Sequence, residues 1–385
     1  MDINVYLLYS SIIFIAFFLA YKANGKVHVV GGIFQKQKFD SFYFWTAFLV
    51  LCFFTIFTDT GVDYYNYYRQ IERGHDISDI YYYNQIEPLF TLWSHYGWII
   101  FNGKIHVVIA TMKFVTILLY FLSFYMMRAK INVAFSVLLF SSIAFLPSFS
   151  IIRIVLASSF LIFGCALYFN KKPLVWVLFF MLLGVFMHFS SIMLLIAVLT
   201  YLLLFKYTKD KVTNKYVMFI LIFFILFSTT QTIQILSSFI SLSDSFDHYQ
   251  KYVDTIHSSS FGVLFVLFIS YSLIGGTLYL VRKCFDIHAF LFMQVLVIYA
   301  FSFEFLGTQI PVLERSTYVF MPVYCLIFPY CIQSYSIIEK KKYSSLELAV
   351  ILFCVFRLYF VFKSRVMPDS DSQLYYYHFF NPFTA

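Results

Sequence analysis

Two carboxylates, a histidine, two arginines and a group of tyrosines carry the chemistry legible in this chain. Asp63 and Glu87 lie in a polar stretch, Thr58 to Phe90, which holds six carboxylates, two arginines and seven tyrosines. Gly61 permits a tight turn just before Asp63. Glu87-Pro88 reads as a helix start, because Pro is tolerated in the first turn and an acid suits the positive end. Either carboxylate, so anchored, could take the proton from a sugar hydroxyl. The plainer role for Glu87 is a helix cap. Tyr64 and Tyr65 add aromatic faces of the kind that stack on sugar rings. Further along, Arg153 follows Pro147-Ser148-Phe149-Ser150, His188 precedes Ser190-Ser191, and Arg315 precedes Ser316-Thr317. Each group opens an apolar run. Helix N-termini favour anions, and Arg grips phosphate oxygens in a planar fork. Two arginines, a histidine and the serine hydroxyls therefore suit a diphosphate. Singly, each has a plainer role: Arg153 or Arg315 snorkelling to water, Arg315 pairing with Glu314, His188 packing beside Met187 and Phe189. What favours a site is that all of them fall on one side of a membrane.

The elements that must hold these residues are apolar helices. Hydrophobic residues make up 61% of the chain and charged residues only 12%, against about 25% charged in a soluble domain. The sequence describes an all-α polytopic membrane protein of about 12 transmembrane helices in a single integral membrane domain, residues 1–385. Candidate spans are 4–22, 41–57, 104–127, 131–147, 154–169, 173–187, 190–205, 216–236, 261–281, 288–306, 317–337 and 345–362. The first reads as a retained span, since no basic region precedes it. A further apolar run, Ile86 to Phe101, reads as a re-entrant or interfacial helix about 24 Å long. With both termini outside, the inner loops collect most Lys and Arg, as the positive-inside rule demands. Residues 58–103 then form a large outer loop, 237–260 a second outer loop, and 363–385 an outer tail. Arg153 and Arg315 oppose the charge bias, which strengthens them as site residues. Lys113 and Arg357 lie inside spans and are expected to face the bundle interior.

The formal net charge of +8 follows from this lysine distribution and is no signal for nucleic acid. Five of the six cysteines lie in apolar runs, with no CxxC pair, which argues against structural disulfides and a zinc site. Asp369-Ser370-Asp371 has the form of a metal-binding DxD, but it sits in a Ser/Asp-rich tail on the wrong side for nucleotide sugars.

The order of motifs resembles a family. Gly61-x-Asp63-Tyr64 after an apolar span, Glu87-Pro88-Leu89-Phe90, Arg153-x-x-Leu156-Ala157, His188-x-Ser190-Ser191 and Arg315-x-x-Tyr318-x-Phe320 resemble the EpsG-like branch of Wzy-type polysaccharide repeat-unit polymerases. An Arg often found before the Gly-x-Asp is missing, Ile154 stands for a usual Gln, and Met187 for a usual Phe. The resemblance implies a GT-C-like membrane glycosyltransferase of the O-antigen or exopolysaccharide polymerase kind. It would join undecaprenyl-diphosphate-linked oligosaccharides on the outer face of the bacterial cytoplasmic membrane. Glycosyl transfer would be metal-independent and inverting, without a cofactor, and a chain-length regulator is the partner protein to expect. Asp63, Glu87 and His188 would be catalytic. Arg153, Arg315, Ser190 and Ser191 would bind the diphosphate, and Tyr64, Tyr65 and Tyr318 the sugars.

Rival readings are distinguishable. A lipid-linked oligosaccharide flippase should string charges along a mid-membrane path and often carries an internal repeat. A membrane acyltransferase with a cytoplasmic donor needs catalytic groups on the inner side, where this chain has lysines and little else. A ligase that moves finished chains onto a lipid acceptor belongs to the same class and shares the same chemistry.

Overall fold

The computed structural model describes residues 5–24, 27–30, 33–36, 39–73, 87–207, 274–276, 278, 287–307, 317–339, 345–362 and 382. The expected span 216–236, nearly all of 261–281, the loop 237–260, Arg315 and the tail 363–385 apart from Pro382 lie outside the described residues.

The chain divides into two compact units: Met1–Phe189 with Tyr324–Ala385, and Ser190–Val323. In the first, α1 (Val5–Ala23), α2 (Ser41–Ile56), α3 (Val62–Arg73), α4 (Pro88–Ile100), α5 (Ile105–Met127), α6 (Val133–Phe140), α7 (Ile152–Phe169) and α8 (Leu174–Met187) follow in order. A π turn at Ser141–Phe145 and a single helical turn at Pro147–Ser150 separate α6 from α7. The second unit holds α9 (Ile192–Tyr207) and α10 (Ile287–Gly307), packed on each other. The first unit ends with α11 (Tyr324–Glu339) and α12 (Ser345–Val361). Among the described residues, five helical runs are long and apolar enough to cross a membrane: Val5–Ala23, Ile105–Met127, Ile152–Phe169, Phe290–Gly307 and Thr317–Tyr335. Four shorter apolar helices stand at other expected spans. Leu7, Phe14 and Phe18 on α1 and Val175, Trp176, Phe179 and Phe186 on α8 are exposed. An apolar surface of this kind is suited to lipid.

Two segments depart from the sequence reading. The expected all-α chain contains one two-stranded antiparallel hairpin, Val27–Val30 with Ile33–Lys36. Its signal was available: β-branched residues flank Gly31-Gly32, a favoured two-residue hairpin connection. The polar stretch after Thr58 begins not as a loop but as α3, whose Tyr64, Tyr67 and Ile71 are buried. Their spacing of three and four residues places them on one helical face.

Site geometry depends on how α3, α4 and α8 pack around α5 and α7. Gly184 of α8 approaches α7 so closely that a Cβ would stand 2.8 Å from Leu161 Cδ2 and 3.0 Å from the Ala157 carbonyl. This contact fixes the end of α8 beside the start of α7. Gly61 enters α3 at φ +119°, and a Cβ there would fall 2.6 Å from the Phe149 carbonyl oxygen. Both the backbone region and the space exclude a side chain. Gly61→Ala is expected to destabilise the protein by about 1–3 kcal/mol or more, the usual range for such strain. A thermal unfolding midpoint equal to wild type would contradict this.

Candidate active site

Glu87 is the residue just before α4, and Pro88 occupies the first helical position, as its sequence signature required. Its side chain does not cap the helix. The carboxylate instead reaches across to two other helices. Oε2 accepts a hydrogen bond from Arg153 Nη1 at 3.1 Å, and Oε1 stands 2.5 Å from His188 Nδ1. The backbone N–H of Phe189 points at the same Oε1 from 3.4 Å. All three side chains are largely buried, with 9% of Glu87, 18% of Arg153 and 11% of His188 exposed.

Local chain chemistry explains the meeting. The Pro147–Ser150 turn breaks before Ile151, so α7 starts afresh and Arg153 falls in its first turn. α8 ends at Met187, and His188 turns into extended backbone, φ −159° and ψ 120°, which swings its ring off the helix axis. The anion expected at the start of the Arg153 helix is thus supplied by the protein itself. The Arg153 guanidinium also lies over two rings, with its carbon 5.2 Å from the centre of Tyr67 and 4.9 Å from that of Phe90. Such stacking suits Arg and not Lys.

Electrostatics assign the protons. Burial raises the Glu87 carboxyl, but the His188 hydrogen bond, the charge of Arg153 and the charge of the His188 ring in its protonated form outweigh it and hold it below its usual range. Glu87 is therefore ionised at neutral pH and accepts only. Nδ1 of His188 must then carry the proton in this bond. In the neutral ring the basic lone pair is left on Nε2, which makes no hydrogen bond among the described residues. A carboxylate held so low is a poor proton acceptor. The geometry suits Glu87 to orient the His188 ring, whereas the sequence offered either carboxylate first as the base.

The remaining sequence candidates divide. Asp63 sits in the first turn of α3 and is partly exposed, its Oδ1 taking a hydrogen bond from Asn66 Nδ2 at 3.4 Å. Tyr64, expected to face a sugar, is buried, with its hydroxyl 2.7 Å from His106 Nδ1. Burial, then the charge of Asp59, raises that phenol well above its usual range. Its neighbour Tyr65 is 51% exposed and donates to Asp59 Oδ2 at 2.9 Å. Ser190 and Ser191 begin the second unit on a one-turn helix, and neither hydroxyl has a partner among the described residues. Tyr318 is half-buried in that second unit. The expected diphosphate clamp is altered in one respect: Arg153 is engaged by Glu87 rather than standing as a lone cation.

Sequence reasoning missed Tyr67, Phe90, Asp59 and His106. Phe90 stood in the Glu87-Pro88-Leu89-Phe90 motif without a role of its own, and Tyr67 was legible only as spacing on α3. Lys113 was expected to face the bundle interior and does so: it is 1% exposed and donates from Nζ to the Thr58 carbonyl at 2.8 Å. Cys52, Cys165, Cys325, Cys331 and Cys354 are buried, as their apolar surroundings implied.

Neither the curated proteins nor the solved structures gave a match to the chain. A family model described as EpsG family matches residues 41–380, a range that contains Glu87, Arg153, His188 and every other candidate named above. That match covers most of the chain, and the protein belongs to the EpsG family.

Proposed function

We propose that this protein is a polysaccharide polymerase that joins lipid-diphosphate-linked oligosaccharide repeat units. The observation that carries the reading is the hydrogen bond between Glu87 and His188, in a buried trio completed by Arg153. Family membership supports the polymerase class. The lipid is taken as undecaprenyl diphosphate and the architecture as about 12 spans in a GT-C-like arrangement.

The reaction is a single displacement. An acceptor hydroxyl oxygen attacks the anomeric carbon of a second unit as the bond from that carbon to the lipid diphosphate breaks. The diphosphate departs with the bonding electrons, and His188 Nε2 takes the hydroxyl proton. Glu87 holds the ring with Nε2 forward and stabilises the imidazolium that forms. Before transfer the trio is neutral, with Arg153 positive and Glu87 negative. After transfer it is singly positive, which suits a departing anion. Charge therefore appears in the site only as the diphosphate leaves, the condition for favouring the transition state over the ground state. Arg315, Ser190 and Ser191 are proposed to contact the diphosphate, and attack from the far side inverts the anomeric configuration.

The purified protein, placed in lipid nanodiscs with a defined lipid-diphosphate oligosaccharide, should build a ladder of longer glycans. A protein that moves such lipids between leaflets but forms no glycosidic bond would be a flippase, and the polymerase reading would fail.

The site is proposed to face the outside of a bacterial cytoplasmic membrane, on the strength of the lysine distribution. Arg69 and Lys172 are both exposed and test the two sides. Cysteine at position 69 should react with an impermeant thiol reagent on intact cells, and cysteine at 172 only after lysis. The opposite pattern would place the site inside.

A further inference from the structure

α3 is held from below by two cations. Arg153 lies over Tyr67, and Lys113 Nζ stands 4.8 Å from the centre of the Tyr64 ring. Lys113 belongs to α5, a helix long and apolar enough to span. A lysine inside a span costs about 2.5–3.5 kcal/mol on insertion scales, so an apolar residue would serve better if packing were its whole task. Its ammonium instead binds the Thr58 carbonyl, at the turn that leads into α3. On the same helix, His106 holds the Tyr64 hydroxyl. Gly61, pressed on Phe149, completes the anchoring of this turn.

The anchored turn presents Asp59 and Tyr65. Asp59 lies close enough to Lys113 and His106 for its charge to act on both. Tyr65 is half exposed, yet its hydroxyl is tied back onto Asp59. The hydrogen bond to Asp59, and then burial, raise this phenol, so it stays a donor. A tyrosine that merely anchors a helix at a membrane surface keeps its hydroxyl toward water. Here the hydroxyl is fixed on Asp59 although the residue is half exposed. An accessible aromatic ring beside a carboxylate matches the two surfaces of a sugar, its C–H face and its hydroxyl edge. Lys113 and Arg153 thus act on the same short helix, at Tyr64 and Tyr67, three residues apart.

We propose that Asp59 and Tyr65 form the subsite for the acceptor sugar, and that Lys113 is its positioning residue. The inference rests on the polymerase reading. The test uses full-length protein in nanodiscs, the lipid-diphosphate oligosaccharide as donor, and a soluble fluorescent repeat-unit oligosaccharide as acceptor, with KM measured for each separately. Tyr65→Ala and Asp59→Asn should raise the acceptor KM about tenfold or more, the loss expected for a hydrogen bond to a charged group. The donor KM should stay within about twofold. Tyr65→Phe, which keeps the ring on an exposed site, should fall between wild type and Tyr65→Ala. Lys113→Met should raise the acceptor KM like Asp59→Asn and leave the donor KM alone, whereas general loosening would shift both. Unchanged acceptor KM in Tyr65→Ala and Asp59→Asn, or donor and acceptor KM rising together in all variants, overturns the subsite. If wild type transfers nothing, the polymerase reading has failed by itself. Calorimetric binding of the soluble oligosaccharide to wild type and Tyr65→Ala then decides the subsite: weaker binding to the variant supports it, and equal or absent binding refutes it.

Discussion

His188→Gln is expected to slow chain joining by about 10²- to 10⁴-fold, the range for losing a positioned general base. Gln keeps a polar group of similar reach and can still donate to Glu87, so the fold and the substrate sites should persist. Donor and acceptor KM should stay near wild type, and the acid limb of the pH–rate profile should vanish, because that limb reports protonation of the base. Glu87→Gln should lose less than His188→Gln and retain the acid limb. The imidazole is still present there, but without the carboxylate that fixes its tautomer and stabilises its charged form. Asp63→Asn separates the alternatives the sequence offered. A loss at position 63 equal to that at 188, with turnover near wild type in His188→Gln, would return the base to Asp63.

Arg153→Ala should be the most damaging change to the fold of the site. It leaves the Glu87 carboxylate buried without the cation at its Oε2, and breaking a buried pair costs about 3–5 kcal/mol. It also removes the guanidinium that lies against both Tyr67 and Phe90. Activity should fall by about 10²-fold or more, as for removal of a preorganised charge. Arg153→Lys should recover little, since an ammonium has no planar face to lay against the Tyr67 and Phe90 rings. The double variant Arg153→Ala, Glu87→Gln resolves the two roles. Neutralising Glu87 removes the stranded charge, so thermal stability should return most of the way while activity stays lost. If the double variant is no more stable than Arg153→Ala, the ion pair is not what the arginine supplies.

The parts of this site differ in how far they could be read from residues alone. Glu87-Pro88 was legible because a helix start is a local event, written in adjacent residues. The partnership of Glu87 with Arg153 and His188 was not, since it joins positions 66 and 101 residues away. No periodicity spans that distance. α3 was hidden by its polarity: the search was for apolar runs, while the helix signal was the spacing of Tyr64, Tyr67 and Ile71. Reading the stretch as a loop gave Tyr64 and Tyr65 the same role, because a loop has no inside. On a helix, neighbours point about 100° apart, and the two tyrosines took opposite fates. Lys113 was placed correctly by energy rather than pattern, through the cost of exposing its charge to lipid. The spans themselves followed from composition, with helices standing wherever expected spans fall within the described residues.

The separation of the trio along the chain also sets an order of events at the ribosome. Synthesis proceeds at about 5–20 residues per second, so Glu87 exists for several seconds before Arg153 is made and for several more before His188. A carboxylate in the middle of an apolar helix would spend that interval stranded in lipid. Glu87 instead stands just before the first residue of α4, whose 13 residues make about 20 Å of helix, less than the roughly 30 Å of a bilayer core. A helix of that length, with its acid at the end, can rest at the water boundary with Glu87 hydrated. Its design is compatible with an assembly in which the charge is enclosed only after Arg153 and His188 have been made.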